Sequence, residues 1–128
     1  FLMPKEVKHH YGADSELDVH DFISWADEER DLSAWRSNPL QHHAFQRVYA
    51  LEKQILETGD LNLIHQWRLL QTSDHFYYMC TKFDADGDVH KYFNHYSNPY
   101  DAYINFQNIL FDFEGVLKKS SVRKAVHV

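Results

Sequence analysis

The feature that constrains the fold most is a regular apolar pattern near the end of the chain. Asn98 and Pro99 form a typical helix start, because asparagine caps the first turn and proline fits the first helical position. Large apolar residues then recur at alternating steps of three and four, which places them on one face of an α-helix. This face consists of Tyr103, Phe106, Leu110, Phe113 and Leu117. Such a helix must bury its apolar face against other elements.

Two further long helices are predicted upstream. The pair Asn38-Pro39 repeats the helix start, and a face with helical spacing follows it, made of Leu40, Ala44, Val48, Leu51 and Ile55. Gly59 is a typical residue just beyond a helix, and Asp60 can cap the next helix immediately. That next helix carries Leu63, Trp67 and Leu70 on one side. So short a connection predicts that the two helices lie antiparallel.

These patterns predict an all-α fold, an antiparallel bundle of three main helices. Short flanking helices are expected, one of them from Pro4 to Gly12, and an irregular loop over residues 82–98 precedes the last helix. The stretch 21–35 reads as a helix or an irregular turn. We expect one domain over residues 1–117, followed by a frayed tail over residues 118–128. No alternation typical of a strand is present.

Composition excludes several classes of protein. The chain has 128 residues and a formal net charge of −6, which would repel nucleic-acid phosphates, so no nucleic-acid partner is expected. No apolar run is long enough for a membrane span, so no membrane partner is expected either. Cys80 is the single cysteine and fits a reducing compartment, which favours a cytoplasmic location. The chain opens at Phe1 with no initiator Met, which is expected either of a processed product or of a piece of a larger protein.

No metal and no cofactor is expected. The stretch Asp84–Asp88 begins like a calcium loop, but Phe93 stands where such a loop needs a bidentate glutamate, so a solvated acidic turn is the better interpretation. No two of the ten histidines are three or four residues apart, so no helix face presents two imidazoles together. No motif marks Cys80 as an activated thiolate.

Aromatic residues make up 16% of the chain and concentrate in two runs, residues 75–79 and 91–96. They are either bulky core residues or rings that face a groove, and a sugar suits such a groove because its C–H face packs on rings. The charged residues 27–31 lie between Trp25 and Trp35 and are similarly open to two interpretations. They form either a solvated face or a recognition loop.

Asp74 is the most informative single residue. Continuing the apolar face of the second helix by four residues from Leu70 reaches Asp74, and three more reach Tyr77. A buried, unpaired carboxylate would cost several kcal/mol. We therefore expect Asp74 to have a partner, to take up a proton or to face a cavity.

Three long stretches of the chain are similar to a known family. They are ISWADEERDLSAW (residues 23–35), WRLLQTSDHFYYMCTK (67–82) and DGDVHKYFNHYSNPYDAYINFQNILFDF (86–113). The chain resembles, over residues 1–114, the helical region that follows the catalytic barrel in the α-amylase-like branch of glycoside hydrolase family 57. The resemblance implies hydrolysis or transfer of α-glucans with retention. It also implies that the nucleophile and the acid/base carboxylate lie upstream on the barrel, so no catalytic residue is expected in this chain.

The resemblance also assigns candidate substrate-binding residues. Residues 71–79 resemble a family region that borders the active-site cleft, and residues 24–27 resemble the loop that reaches back to the barrel. On this basis Asp74 and His75 would bond sugar hydroxyls or orient a barrel carboxylate, and Trp25 and Phe76 would offer apolar surface to a glucose unit. The loop residues Asp27, Arg30 and Asp31 would fix the loop against the barrel.

The functional hypothesis is therefore a helical domain that completes the substrate cleft of an α-amylase-like enzyme and is inert alone. Its partners would be the barrel and the α-glucan substrate. The alternative is a non-catalytic helical module that binds carbohydrate or another protein without a barrel. A structural bundle with no ligand is the third possibility.

Overall fold

The computed structural model describes residues 2–13, 15–24, 28–82, 92 and 94–126, with side chains described as far as Ser120. Its helices are α1 (Pro4–His10), α2 (Ser33–Arg36), α3 (Pro39–Ala50), α4 (Glu52–Thr58), α5 (Leu61–Leu69), α6 (Ser73–Tyr77) and α7 (Pro99–Val126). No strand occurs in these described ranges, which confirms the predicted all-α fold. Residues 84–88, which resemble a calcium loop, lie outside the described residues.

The predicted helix starts are confirmed by their hydrogen bonds. The Asn38 side chain accepts from the Gln41 amide, and Gln41 reaches back to the Asn38 backbone, which completes a capping box. The Asp60 side chain caps α5 by accepting from the amides of Asn62 and Leu63. Gly59 ends α4 with φ of 64°, the left-handed conformation that glycine adopts without steric cost.

The predicted second long helix is two helices, and this changes the position of Asp74. The chain leaves α5 through tight turns in which the amides of Gln71 and Thr72 bond carbonyls three residues back, and the Thr72 hydroxyl bonds the Leu69 carbonyl at 2.8 Å. The new helix α6 therefore starts in a different register. Phe76 points into the core, and Asp74 is exposed rather than on a buried face. The expectation of a buried carboxylate is wrong for this reason.

The other two predicted helices also differ in their limits. Leu51 separates α3 from α4, so the first long helix is interrupted by a short turn. The last helix, α7, continues as a helical backbone to Val126, beyond the predicted start of a frayed tail.

One apolar core joins α3 through α7. Its buried members are Ala44, Val48, Ile55, Leu63, Trp67, Leu70, Phe76, Met79, Ala102, Phe106, Leu110, Phe113 and Leu117. The indole N–H of Trp67 donates to the Val48 carbonyl at 2.9 Å, so α5 is fixed to α3 by a polar contact inside this core. Arg47 on α3 bonds Gln107 and Glu114 on α7 at the edge of the core. By contrast, α1 buries no residue.

Gln41 is the buried polar residue that fixes α6. Its side-chain amide N–H groups donate to the carbonyls of Ala34, at 2.7 Å, and Phe76, at 3.0 Å. Its amide oxygen accepts from the backbone N–H groups of Ser37 and Asn38. A single buried side chain therefore links α2, α3 and α6. Beside it, the Asn38 side chain donates to the Met79 carbonyl at 2.8 Å and holds the residues that follow α6.

We predict that Gln41→Leu destabilises the chain strongly, because it leaves several buried backbone groups without partners. Each such group costs about 1–3 kcal/mol, so the free energy of unfolding should fall by about 3 kcal/mol. Urea denaturation of the variant measures this. Gln54→Leu, at an exposed position of α4, is the matched control and should stay within about 0.5 kcal/mol of the wild type. Equal effects of the two substitutions would contradict the role given to Gln41.

Candidate functional site

The outward face of α6 brings a carboxylate next to aromatic residues. Asp74 is exposed in the first turn of α6, and Tyr78, four residues later, is half-buried on the same side. The Tyr78 ring contacts Tyr96 and His95, with ring centroids 5.9 Å and 6.2 Å apart. Burial of the phenol, followed by the charges of Asp74 and Tyr96, raises the pKa of Tyr78. We call Asp74, Tyr78, His95 and Tyr96 the Asp74 face.

The two residues after Asp74 have different surroundings. The ring of His75 is half-buried and packs on Phe106 of α7, with ring centroids 5.3 Å apart. Phe76 is only 5% exposed, and its ring packs between Phe45 and Phe106. Phe76 therefore belongs mainly to the core. A contact between its ring and a glucose unit stays a prediction, for which little of its surface is available.

The acidic loop before α2 is held in place by Lys82. The Lys82 ammonium group forms an ion pair with Glu29 at 2.9 Å and donates to the Ser33 hydroxyl. The hydrogen bond from Lys82 is the largest of the effects that lower the pKa of Glu29. In the same loop Asp31 accepts from the Ser33 amide at 2.7 Å, and bonds from Ser33 lower the pKa of Asp31. The loop is thus tied to the residues that follow α6.

Arg30 lies at the tip of this loop. Its φ of 56° is in the left-handed region, which residues with a side chain rarely adopt. Its carbonyl accepts from the Ser24 amide at 2.8 Å, which closes the loop. Arg30 is exposed. The other two candidate residues of this region, Trp25 and Asp27, lie outside the described residues, so their proximity to Asp74 and His75 stays a prediction.

A second concave surface lies on another side of α6, between α2, α3 and the turn before α6. It is an open groove of about 270 Å³, and we call it the Trp35 groove. Its lining consists of Ser24, Leu32, Trp35, Arg36, Phe45, Tyr49, Gln71, Ser73 and Phe76. Six of these residues come from the segments 23–35 and 67–82, three from each, so two of the stretches that carry the family resemblance meet here.

Within the described ranges, no three histidine, cysteine or carboxylate side chains are grouped closely enough to hold a metal ion. None of the helices over those ranges has the length and apolar character needed to cross a membrane.

Comparison with known proteins adds one significant similarity. The chain is 42% identical, over 114 aligned positions, to a protein of Methanocaldococcus jannaschii named "Putative alpha-amylase". The alignment covers 81% of this chain but only 24% of the relative, so the chain spans about a quarter of that protein's length. No family model matches the chain. No solved structure matches it either.

Sequence reasoning found Asp74 and His75 but missed their neighbours. The pairing of Asp74 with Tyr78 could have been found from their spacing of four on one helix. The contact of Tyr78 with Tyr96, and the ion pair of Lys82 with Glu29, join residues far apart in sequence. No local sequence pattern predicts contacts between residues so far apart in the chain.

We predict that Lys82→Met raises the pKa of the Glu29 carboxyl group, because the ammonium group stabilises the charged form. Since the pKa of Glu29 is lowered in the folded chain, the ion pair between Lys82 and Glu29 is present at neutral pH. It is lost as the pH falls through the pKa of Glu29. Carbon-detected NMR titration of the glutamate side chains measures the shift.

The control is Lys53→Met, which removes a lysine 3.9 Å from Glu57 on α4. It should leave the Glu29 titration and the amide resonances of residues 28–33 unchanged. An unaltered Glu29 titration in Lys82→Met would show that Lys82 does not hold the loop.

Proposed function

We propose that this chain is the helical region that follows the catalytic barrel of an α-amylase-like enzyme of glycoside hydrolase family 57. In this role it completes the substrate cleft, and the catalytic carboxylates belong to the barrel. The similarity to a protein named "Putative alpha-amylase", over about a quarter of that protein, supports an origin in a larger glycoside hydrolase.

The observation that carries the proposal is the exposed position of Asp74 among aromatic side chains. An exposed carboxylate can accept hydrogen bonds from sugar hydroxyls, and phenol groups can donate or accept them. Rings beside it offer surface for the C–H face of a pyranose. Tyr78 and Tyr96 supply such rings next to Asp74. The Asp74 face therefore has the chemistry of a wall of a sugar-binding cleft.

The other candidate residues have supporting roles in this proposal. His75 borders the Asp74 face and can bond a sugar hydroxyl or orient a barrel carboxylate. Arg30 and Asp31, with Asp27, would contact the barrel from a loop whose position Lys82 fixes through Glu29. Trp25 would add apolar surface from the same loop.

A non-catalytic interaction module is the second candidate function. It is favoured by apolar side chains on the outer side of α7, where Tyr100, Ile104 and Phe111 are all more than half exposed. Contiguous exposed apolar residues often mark a surface that binds another protein. This module would bind its partner, or a glucan, without any barrel.

We predict that Asp74→Asn, made in the full-length protein that contains this chain, lowers turnover of maltooligosaccharides at least tenfold. The melting temperature should change little, because exposed substitutions are usually within about 0.5 kcal/mol of neutral. Glu57→Gln, at an exposed carboxylate of α4, is the control and should leave turnover unchanged. Equal losses of turnover and thermal stability in Asp74→Asn would indicate a structural role instead.

We also predict that the 128-residue chain alone does not hydrolyse maltooligosaccharides, because hydrolysis with retention needs two carboxylates about 5–5.5 Å apart, which are expected on the barrel. A reducing-sugar assay of the purified chain tests this. Measurable hydrolysis would contradict the proposal that the catalytic carboxylates belong to the barrel.

A further inference from the structure

The Trp35 groove has the lining and the size of a site for one apolar ring. Most of its wall is formed by aromatic and aliphatic side chains, namely Leu32, Trp35, Phe45, Tyr49 and Phe76. Its volume is about 270 Å³, and a cavity of about 150 Å³ in another protein is enough to hold benzene. Arg36 and Ser73 are exposed at its edge, so they keep their contact with water when an apolar group fills the groove. The groove therefore favours an apolar occupant.

The N-terminal arm, residues 2–13 and 15–23, carries apolar side chains that nothing covers. Every described residue of the arm is exposed, and residues 15–23 form no helix. Leu17, Phe22 and Ile23 are 89%, 82% and 70% exposed. Apolar surface of this kind gains free energy when it leaves water. The arm thus combines a large apolar area with a backbone that no packing holds in place.

The arm is tethered at the edge of the Trp35 groove. Ser24 lines the groove, and its amide donates to the Arg30 carbonyl at 2.8 Å, which fixes the end of the arm there. Phe22 is two residues from Ser24, at most about 7 Å along the backbone. Residues two apart in an extended segment face the same side, so Phe22 rather than Ile23 shares the side of Ser24. So short a tether gives the Phe22 ring a high effective concentration at the groove.

We propose that the N-terminal arm is a strap that closes on the Trp35 groove by inserting the Phe22 ring between Trp35 and Tyr49. The structure shows the open arrangement, in which the ring is exposed beside its site. Closure makes the groove self-blocked, because an apolar side chain of another protein enters only after Phe22 leaves. The inference concerns contacts within this chain and does not rest on the proposed function.

The first test is NMR of the 128-residue chain. Nuclear Overhauser effects should connect the Phe22 ring protons with the indole of Trp35, whose N–H resonance is assigned by its loss in Trp35→Phe. Phe22→Ala should shift this resonance. The indole of Trp67 donates to Val48 in the core, so its resonance should stay in place. Leu17→Ala is the matched control, because it removes an equally exposed apolar side chain of the arm that lies farther from Ser24.

The second test measures the block itself with the apolar dye 1-anilinonaphthalene-8-sulfonate, followed at the Trp35 resonance. Phe22→Ala should bind the dye about tenfold more tightly than the wild type. The apparent affinity of a site falls with the fraction of molecules in which it is open, so a tenfold change corresponds to a groove open in about one molecule in ten. Leu17→Ala, and Tyr100→Ala at a 62% exposed position of α7, should keep the wild-type affinity.

Three results would overturn the inference. The first is the absence of contacts between Phe22 and Trp35 together with an unchanged Trp35 resonance in Phe22→Ala. The second is equal dye affinity at Trp35 in the wild type and in Phe22→Ala. The third is loss of the contacts on dilution, which would assign the ring to a second copy of the chain. The substitutions alter exposed side chains, so none of these results would arise from a failure to fold.

Discussion

The hydrogen bonds of Gln41 are the interaction on which the arrangement of α6 depends. A buried amide side chain is stable only when its donors and acceptor are all paired, because each unpaired group loses its bonds to water without replacement. Gln41 meets this condition with backbone groups of α2, of the turn before α3 and of α6. These bonds hold α2 and α6 against the first turn of α3. The Asp74 face and the Trp35 groove each include residues of α6, so both depend on this contact.

The sequence predicted the elements whose causes are local. The capping box at Asn38, the cap at Asp60 and the apolar face of α7 are set by residues three or four apart, and the structure confirms them. The break between α5 and α6 was not predictable in this way. The local pattern extends one helical period across Leu70, but the carbonyl groups of Phe76 and Met79 accept hydrogen bonds from side chains 35 and 41 positions earlier. Contacts of this range override the local pattern.

The corrected position of Asp74 makes it a better candidate for binding than the buried position would have. A carboxylate in the core would need a partner or a proton, whereas an exposed one is accessible to a ligand. The same break in the helix places Phe76 in the core and Ser73 at the Trp35 groove. One short helix thus separates two surfaces, an acidic and aromatic face on one side and an aromatic groove on another.

In the proposed function, the Asp74 face borders a cleft that holds an α-glucan in the full-length protein. Hydrogen–deuterium exchange of that protein, with and without maltoheptaose, tests it most directly. We predict that amides of residues 73–78 exchange more slowly when the sugar is bound, while those of α4, on a different part of the bundle, are unaffected. If sugar binding protects other regions of the protein and leaves residues 73–78 unchanged, the Asp74 face does not line the cleft.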